Sequence, residues 1–247
     1  MSDPFLFITA PYAAVAALPA VLLVRYGLAS RREGVLRDGA SRARRIFAGS
    51  PAWRYGLLLL LAGHLIGLLF PRQVLRWNEA DIRLFAFEGA ACLLGVWTLL
   101  ALLALVRRNL RESGGTGAAS TADLALLALL FVQIASGLAL AGLYRWASSW
   151  SAVTLNPYVV SLLRLHPRLD LIAGMPYLVK LHVFSASVVV AVLPWTHAAY
   201  LVLYPLHRAL HAARWPVARA ASLVQPRVDR WSRRLALSAA LWPEDED

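Results

Sequence analysis

Lys180-Leu181-His182-Val183-Phe184-Ser185-Ala186-Ser187-Val188-Val189-Val190-Ala191-Val192-Leu193-Pro194-Trp195-Thr196-His197 is the stretch that decides how this chain is read. It belongs to an apolar run from Tyr177 to Tyr204, longer than the roughly 20 residues a helix needs to cross a bilayer. A histidine stands near each end of the quoted segment. A second apolar run, Tyr55 to Pro71, contains Gly63-His64. An imidazole inside lipid is costly, and where one is kept it usually has a task.

Composition agrees with a membrane chain. Of 247 residues, 59% are hydrophobic and only 16% charged, against about 25% charged in an ordinary soluble domain; the mean hydropathy is +0.58. The net charge of +11 comes from arginines lying between apolar runs. Such clusters read as topology signals and contacts to anionic lipid, not as a nucleic-acid surface. The single cysteine, Cys92, cannot form an intrachain disulfide or hold an iron–sulfur cluster. No Gly-rich phosphate loop and no Cys/His metal cluster is present, so catalysis on a substrate is expected in a partner.

The runs predict five transmembrane helices in an all-α bundle. The first covers 5–26, where Pro11 and Pro19 can kink it, and is read as an uncleaved helix because nothing basic precedes it. Residues 27–53 are read as an Arg-rich cytoplasmic loop. The second helix covers 54–71 and contains His64. Residues 72–82 are a short outer loop with Trp77 as an interface anchor. The third helix, Leu84 to Val106, contains Glu88 and Cys92, and Gly114-Gly115-Thr116-Gly117 is a flexible link after it. The fourth begins at Thr121-Ala122-Asp123, with Thr121 or Asp123 capping, and ends at Tyr144 and Arg145-Trp146. Its Gln133, Ser136, Gly137 and Gly142 suit helix packing in lipid. An outer segment, 147–175, carries Trp150 and Tyr158 and precedes the fifth helix. Sixteen arginines fall in the segments assigned to the cytoplasm, against seven basic residues in those assigned outside. The expected topology has the N-terminus outside and the C-terminus cytoplasmic. The expected domains are a five-helix unit, 1–206, and a basic tail, 207–247, ending in Glu244-Asp245-Glu246-Asp247. His207 and His211 are read as solvated or lipid-facing.

Depth pairs the histidines. His64 precedes Pro71 by seven residues, about 10 Å along a helix; His182 follows Tyr177 by five, about 8 Å. The two helices run antiparallel, so both imidazoles fall at similar depth in the outer leaflet. A haem iron bound by two imidazoles from facing helices needs this arrangement. Gly63 and Gly67 flank His64 and let a flat macrocycle approach the backbone. The plainer reading gives each histidine one interhelical hydrogen bond.

Three segments together resemble the gamma subunit of respiratory nitrate reductase, a membrane cytochrome b. They are Thr121-Ala122-Asp123 followed by Gln133 and Gly137-Leu138, Gly63-His64-Leu-Ile-Gly67-Leu-Leu-Phe-Pro71, and Lys180-Leu-His182 with Pro194 twelve residues on. The resemblance implies a subunit of the inner (cytoplasmic) membrane that oxidises quinol beside an outer haem. It implies electron transfer to an iron–sulfur subunit and then a molybdenum-type catalytic subunit. His64 and His182 match the outer haem's ligands. The inner haem needs histidines ten residues before His64 and eighteen after His182, where this chain has Arg54 and Tyr200. The inner haem is therefore absent, or held by His197 alone, or the chain is wired differently; one haem is the expectation. His197, on a continuous helix, would be rotated about 60° from the His182 face. Arg54 would fill the site, or pair with an acidic group or a propionate.

Around the outer haem, Arg83 or Asp81 is the expected quinone-contacting residue. Lys180 is expected to meet a haem propionate or to snorkel to the interface. Glu88 carries protons, binds a neighbouring chain, or pairs with Arg83. His166 is a solvated loop residue. The expected function is electron exchange between the quinone pool and a partner oxidoreductase, in either direction. The alternatives are a haem-free anchor or transport subunit, or a cytochrome b serving a partner on the outer face.

Overall fold

The computed structural model describes residues 3–112, 118–144 and 147–212. Arg145-Trp146, the 114–117 link and the tail from 213 onward lie outside the described residues. Every regular element among those described is helical. The chain divides into two compact units, Met1–Leu201 and Val202–Asp247. In the second, residues 202–212 are helical. His207 there is buried, not solvated, and its ring centre lies 4.3 Å from that of His211, one turn on.

In the first unit a π-helical turn, Phe5–Thr9, leads into α1 (Ala10–Ala29). Then come α2 (Glu33–Phe47), α3 (Pro51–Leu69), α4 (Pro71–Trp77), α5 (Asp81–Arg111) and α6 (Thr121–Leu143). Three short helices follow: α7 (Ala147–Val153), α8 (Leu155–Leu163) and α9 (Asp170–Ala173). The last is α10 (Tyr177–Val192). Five helical stretches are long and apolar enough to cross a membrane: Phe5–Ala29, Pro51–Leu69, Asp81–Arg111, Thr121–Leu143 and Tyr177–Trp195. At most 28% of the apolar window of any of them is buried within the protein. Water does not tolerate so much exposed apolar surface, whereas lipid does. The chain is a multi-pass membrane protein.

Helix packing follows a simple order. α10 lies between α1 and α6, α6 between α10 and α5, and α5 between α6 and α3. The C-termini of α3 and α6 and the N-termini of α5 and α10 share one end, here called the upper end. The lower end is closed by α2, which sequence reading had as a polar loop. Leu36, Ala40, Ala43, Ile46 and Phe47 recur at helical spacing and are buried, while arginines occupy the other face. Ile46 and Phe47 join Trp53, Leu102, Leu105, Leu126, Leu127 and Ile134 in the main core. Trp53 donates its indole N–H to the Phe47 carbonyl at 2.8 Å, and Asn109 donates to the Ile46 carbonyl at 3.1 Å. Both bonds cap the C-terminal end of α2.

The start of α6 is a capping box, but its N-cap is Ser120, one residue before Thr121. Ser120 Oγ accepts from the Asp123 amide, and Asp123 Oδ2 accepts from the Ser120 amide at 2.9 Å.

At the upper end, α8 closes the bundle. Asn156 donates to the carbonyls of Gly67 and Leu68, which α3 leaves without helical partners. Tyr158 is buried with Phe7 and Ile172 and donates its hydroxyl to the Phe7 carbonyl at 2.6 Å. Burial, with a smaller contribution from Tyr12, pushes the Tyr158 hydroxyl up to about 12, so it stays a donor throughout the working pH range. Tyr158→Phe is expected to leave the Phe7 carbonyl without a partner and to cost roughly 1–3 kcal/mol. A thermal melt in detergent, read against the parent chain, measures it.

Candidate functional site

The structure brings His64 and His182 together near the upper end. Their ring centres are 6.1 Å apart and their planes differ by 26°. Metal–imidazole bonds run about 2 Å, so two imidazoles that held one ion would have ring centres roughly 6 Å apart. The ring separation is the one that two imidazoles holding one iron would have. His64 is exposed on α3 together with Leu61, Leu65 and Ile66. A Cβ added at Gly63 or Gly67 would meet nothing within 4 Å. This face of α3 is an open apolar surface around one imidazole, which a planar macrocycle would cover.

Each ring has its other nitrogen fixed. His64 Nδ1 lies 2.7 Å from the Leu60 carbonyl, which can only accept, so Nδ1 carries the proton and Nε2 keeps its lone pair. His182 Nδ1 lies 2.9 Å from Ser136 Oγ, and its Nε2 lies 3.1 Å from the Gln133 amide nitrogen. Gln133 Oε1 accepts from Ser185 Oγ at 2.6 Å. The His182 ring rests against Gly137, where a Cβ would come 3.2 Å from Cε1. Gln133 and Ser136 had been read as packing residues, and Ser185 had not been singled out. Their signal was spacing: 133, 136 and 137 share the α6 face toward α10.

The other predicted residues are bound up elsewhere. Lys180 Nζ is 3.0 Å from Asp3 Oδ2 and ties the N-terminal segment to α10. Exposed Arg83 donates to the carbonyls of Trp77 and Arg76 at the end of α4, with its guanidinium 5.4 Å over the Trp77 ring. Asp81 is exposed in the first turn of α5. Glu88 accepts from the amide and hydroxyl of Ser148, at 2.8 and 2.6 Å, and so holds the start of α7. His166 is exposed. A cleft of about 550 Å³ opens between the ends of α6 and α10, lined by Gly142, Tyr144, Trp150, Met175, Pro176 and Val179. Val179 is one helical turn above His182.

A sequence model of the nitrate reductase gamma subunit matches residues 3–219. The chain belongs to the nitrate reductase gamma subunit family. It is 26% identical over 167 residues to the nitrate reductase gamma chain of Bacillus subtilis, covering 66% of this chain and 74% of that one. It is 28% identical over 176 residues to the nitrate reductase-like protein NarX of Mycobacterium tuberculosis, covering 67% of this chain and 26% of that one. The match therefore spans about a quarter of the mycobacterial protein.

At the lower end this family member departs from a continuous fifth helix. α10 stops at Val192, a 3₁₀ turn covers Leu193–Trp195, Thr196 is extended, and a second 3₁₀ turn covers His197–Ala199. The rotation expected for His197 on an unbroken helix does not apply. Pro194 cannot donate an amide, and the helix breaks around it; Arg25 of α1 donates to two carbonyls at the break, Pro194 O and, at 2.8 Å, Thr196 O. From α6, fully buried Asp123 accepts from the His197 amide at 2.8 Å and faces His197 Nδ1 at 2.6 Å. Tyr200 lies under Arg25, 4.7 Å from guanidinium to ring centre, and against Gly39 of α2, where a Cβ would come 2.7 Å from the ring. Arg54 is exposed. These residues form a closed polar joint and present no facing pair of imidazoles, so they do not fit a second haem.

Asp123→Ala is expected to orphan the His197 and Ser120 amides, at roughly 1–3 kcal/mol for each buried donor. Asp123→Asn, which keeps an acceptor oxygen, is expected to lose less. Melting temperatures of the two variants in one detergent check the order.

Proposed function

We propose that this chain is a haem b-binding membrane subunit that exchanges electrons between the quinone pool and a partner oxidoreductase, with a single haem held by His64 and His182. The observation that carries this reading is the His64–His182 pair, ring centres 6.1 Å apart beside an open apolar face of α3. Haem b, when bound, supplies one-electron storage and transfer. The chain's own residues do the rest. The Leu60 carbonyl and Ser136 orient the two imidazoles with Nε2 unprotonated. Gly63 and Gly67 leave room against α3. The Tyr144–Trp150 cleft, within the usual size range of small-molecule sites, receives the quinone ring one turn above His182. Arg83 and Lys180 serve as outer-surface cations: Arg83 holds the corner between α4 and α5, and Lys180 exchanges Asp3 for a propionate. The upper end faces away from the cytoplasm, with the C-terminus inside, in the inner membrane. The partners are an iron–sulfur subunit and a molybdenum-type catalytic subunit.

The joint at Asp123, His197 and Arg25 favours a second arrangement, in which electrons pass to or from a partner at the upper end. With no second haem, the lower end offers no intermediate stop toward the cytoplasm.

The purified chain is expected to show a reduced b-type spectrum and one haem per polypeptide by pyridine haemochrome assay. His64→Ala and His182→Ala are each expected to abolish the spectrum. A band surviving in both variants would sink the reading, and two haems per chain would refute the single site.

A further inference from the structure

We propose that Gln133, Ser136 and Ser185 act together as a tautomer selector for His182, keeping its proton on Nδ1 and its Nε2 free of a proton, with the Gln133 amide standing where a metal would bind. This rests on the reading of His182 as an iron ligand and adds three positioning residues to it.

The argument is a count of protons. Ser185 Oγ is 2.6 Å from Gln133 Oε1, so that oxygen is taken by a hydroxyl donor and the amide nitrogen is the end that faces the ring. A carboxamide nitrogen only donates, so His182 Nε2, 3.1 Å away, must accept and carries no proton. The one proton of the neutral ring is then on Nδ1 and is donated to Ser136 Oγ at 2.9 Å. Ser136 passes its own proton to the Gln133 main-chain carbonyl at 3.1 Å. Ser136 and Ser185 are 5% and 4% exposed, so water does not compete for these bonds.

The opposite arrangement shows what Ser185 decides. With the amide turned over, Gln133 Oε1 would face the ring and require the proton on Nε2. Ser185 would then accept from the amide and donate only to the His182 carbonyl, now 3.1 Å away. That network removes the lone pair that a metal needs. In the arrangement present, Ser185 donates over 2.6 Å to Gln133 Oε1, where the turned-over one would leave it only the 3.1 Å bond to the His182 carbonyl. Before a metal is bound, the Gln133 amide also gives the buried Nε2 a partner, so the ring waits in the competent tautomer.

His64 is held differently. Its Nδ1 proton goes to the main-chain carbonyl of Leu60, a partner that no side-chain substitution removes. Side-chain control of the pair therefore lies on the His182 side. An acceptor on the far ring nitrogen raises the basicity of a ligating imidazole and favours the more highly charged metal. Losing it weakens binding and makes reduction easier.

The test uses the full chain in detergent, freed of haem and titrated with haemin, followed by a redox titration of the loaded protein. Ser136→Ala is expected to lower haem affinity about 10–100-fold and to raise the midpoint potential. Ser136→Thr, which restores the hydroxyl, is expected to recover both. Ser185→Ala, which frees the amide, is expected to lower affinity. Parent affinity and potential in both Ser136→Ala and Ser185→Ala, with haem lost from His182→Ala, would overturn the selector and leave the ligand reading standing. Haem retained by His182→Ala would instead refute the ligand reading. If Ser136→Ala does not fold, Ser185→Ala decides alone: reduced affinity supports the selector and parent affinity overturns it.

Discussion

The seam between α6 and α10 is the contact on which the rest of the structure depends. α6 meets both histidines of the opening segment. Ser136 and Gln133 reach His182, and Asp123 reaches His197. Helices in lipid gain little from burying apolar side chains against each other, because the acyl chains are just as apolar. Buried hydrogen bonds and close backbone approach must supply direction. Here both occur on one face: two polar clusters separated by apolar packing, with Gly137 bringing the α6 backbone against the His182 ring. That fixes α10 in rotation and height, and His182 then stands at the level of His64.

The lower cluster also explains why the helix can break. An interrupted helix exposes carbonyls and amides that lipid cannot satisfy. Around Pro194 three of them meet a charged group from a neighbour: Arg25 for two carbonyls, Asp123 for an amide. The interruption has a consequence for ligand spacing. A residue eighteen positions after His182 returns to the same face only on a continuous helix. Tyr200 instead packs on Gly39. The break after Val192 therefore ends helical register with His182 before Tyr200 is reached.

Much of this was legible in the sequence. Hydropathy marked all five spans, and depth paired His64 with His182, because both follow from helix rise and bilayer thickness. Family membership was legible from three short segments. What was not legible depends on side chains far apart in sequence. Glu88 finds Ser148 and not Arg83; Lys180 finds Asp3; Arg25 finds carbonyls 169 and 171 residues later. No periodicity announces such contacts. The misreading of 27–53 was different in kind. Leu36, Ala40, Ala43 and Ile46–Phe47 do show helical spacing, but the arginines between them dominated the reading. The Ser120 cap was missed by one residue, the usual uncertainty of a helix end.

The two clusters on the seam differ in what they leave free, and that difference separates a binding site from a joint. At the upper end, each histidine spends Nδ1 on the protein and His182 Nε2 meets the Gln133 amide, while His64 is exposed and its Nε2 keeps a lone pair. At the lower end, Asp123 accepts from both Ser120 groups and both His197 groups, and Arg25 is spent on two carbonyls. A site that satisfies itself has no reason to bind anything. A site that keeps a lone pair on a lipid-exposed helix carries a standing cost until something covers it. On the one-haem reading, the cost is met only at the upper end. Electron entry and exit then converge there, within a turn or two of the Tyr144–Trp150 cleft. The partner's nearest redox centre must approach that end, or the complex must bridge the lower half of the bundle without help from this chain.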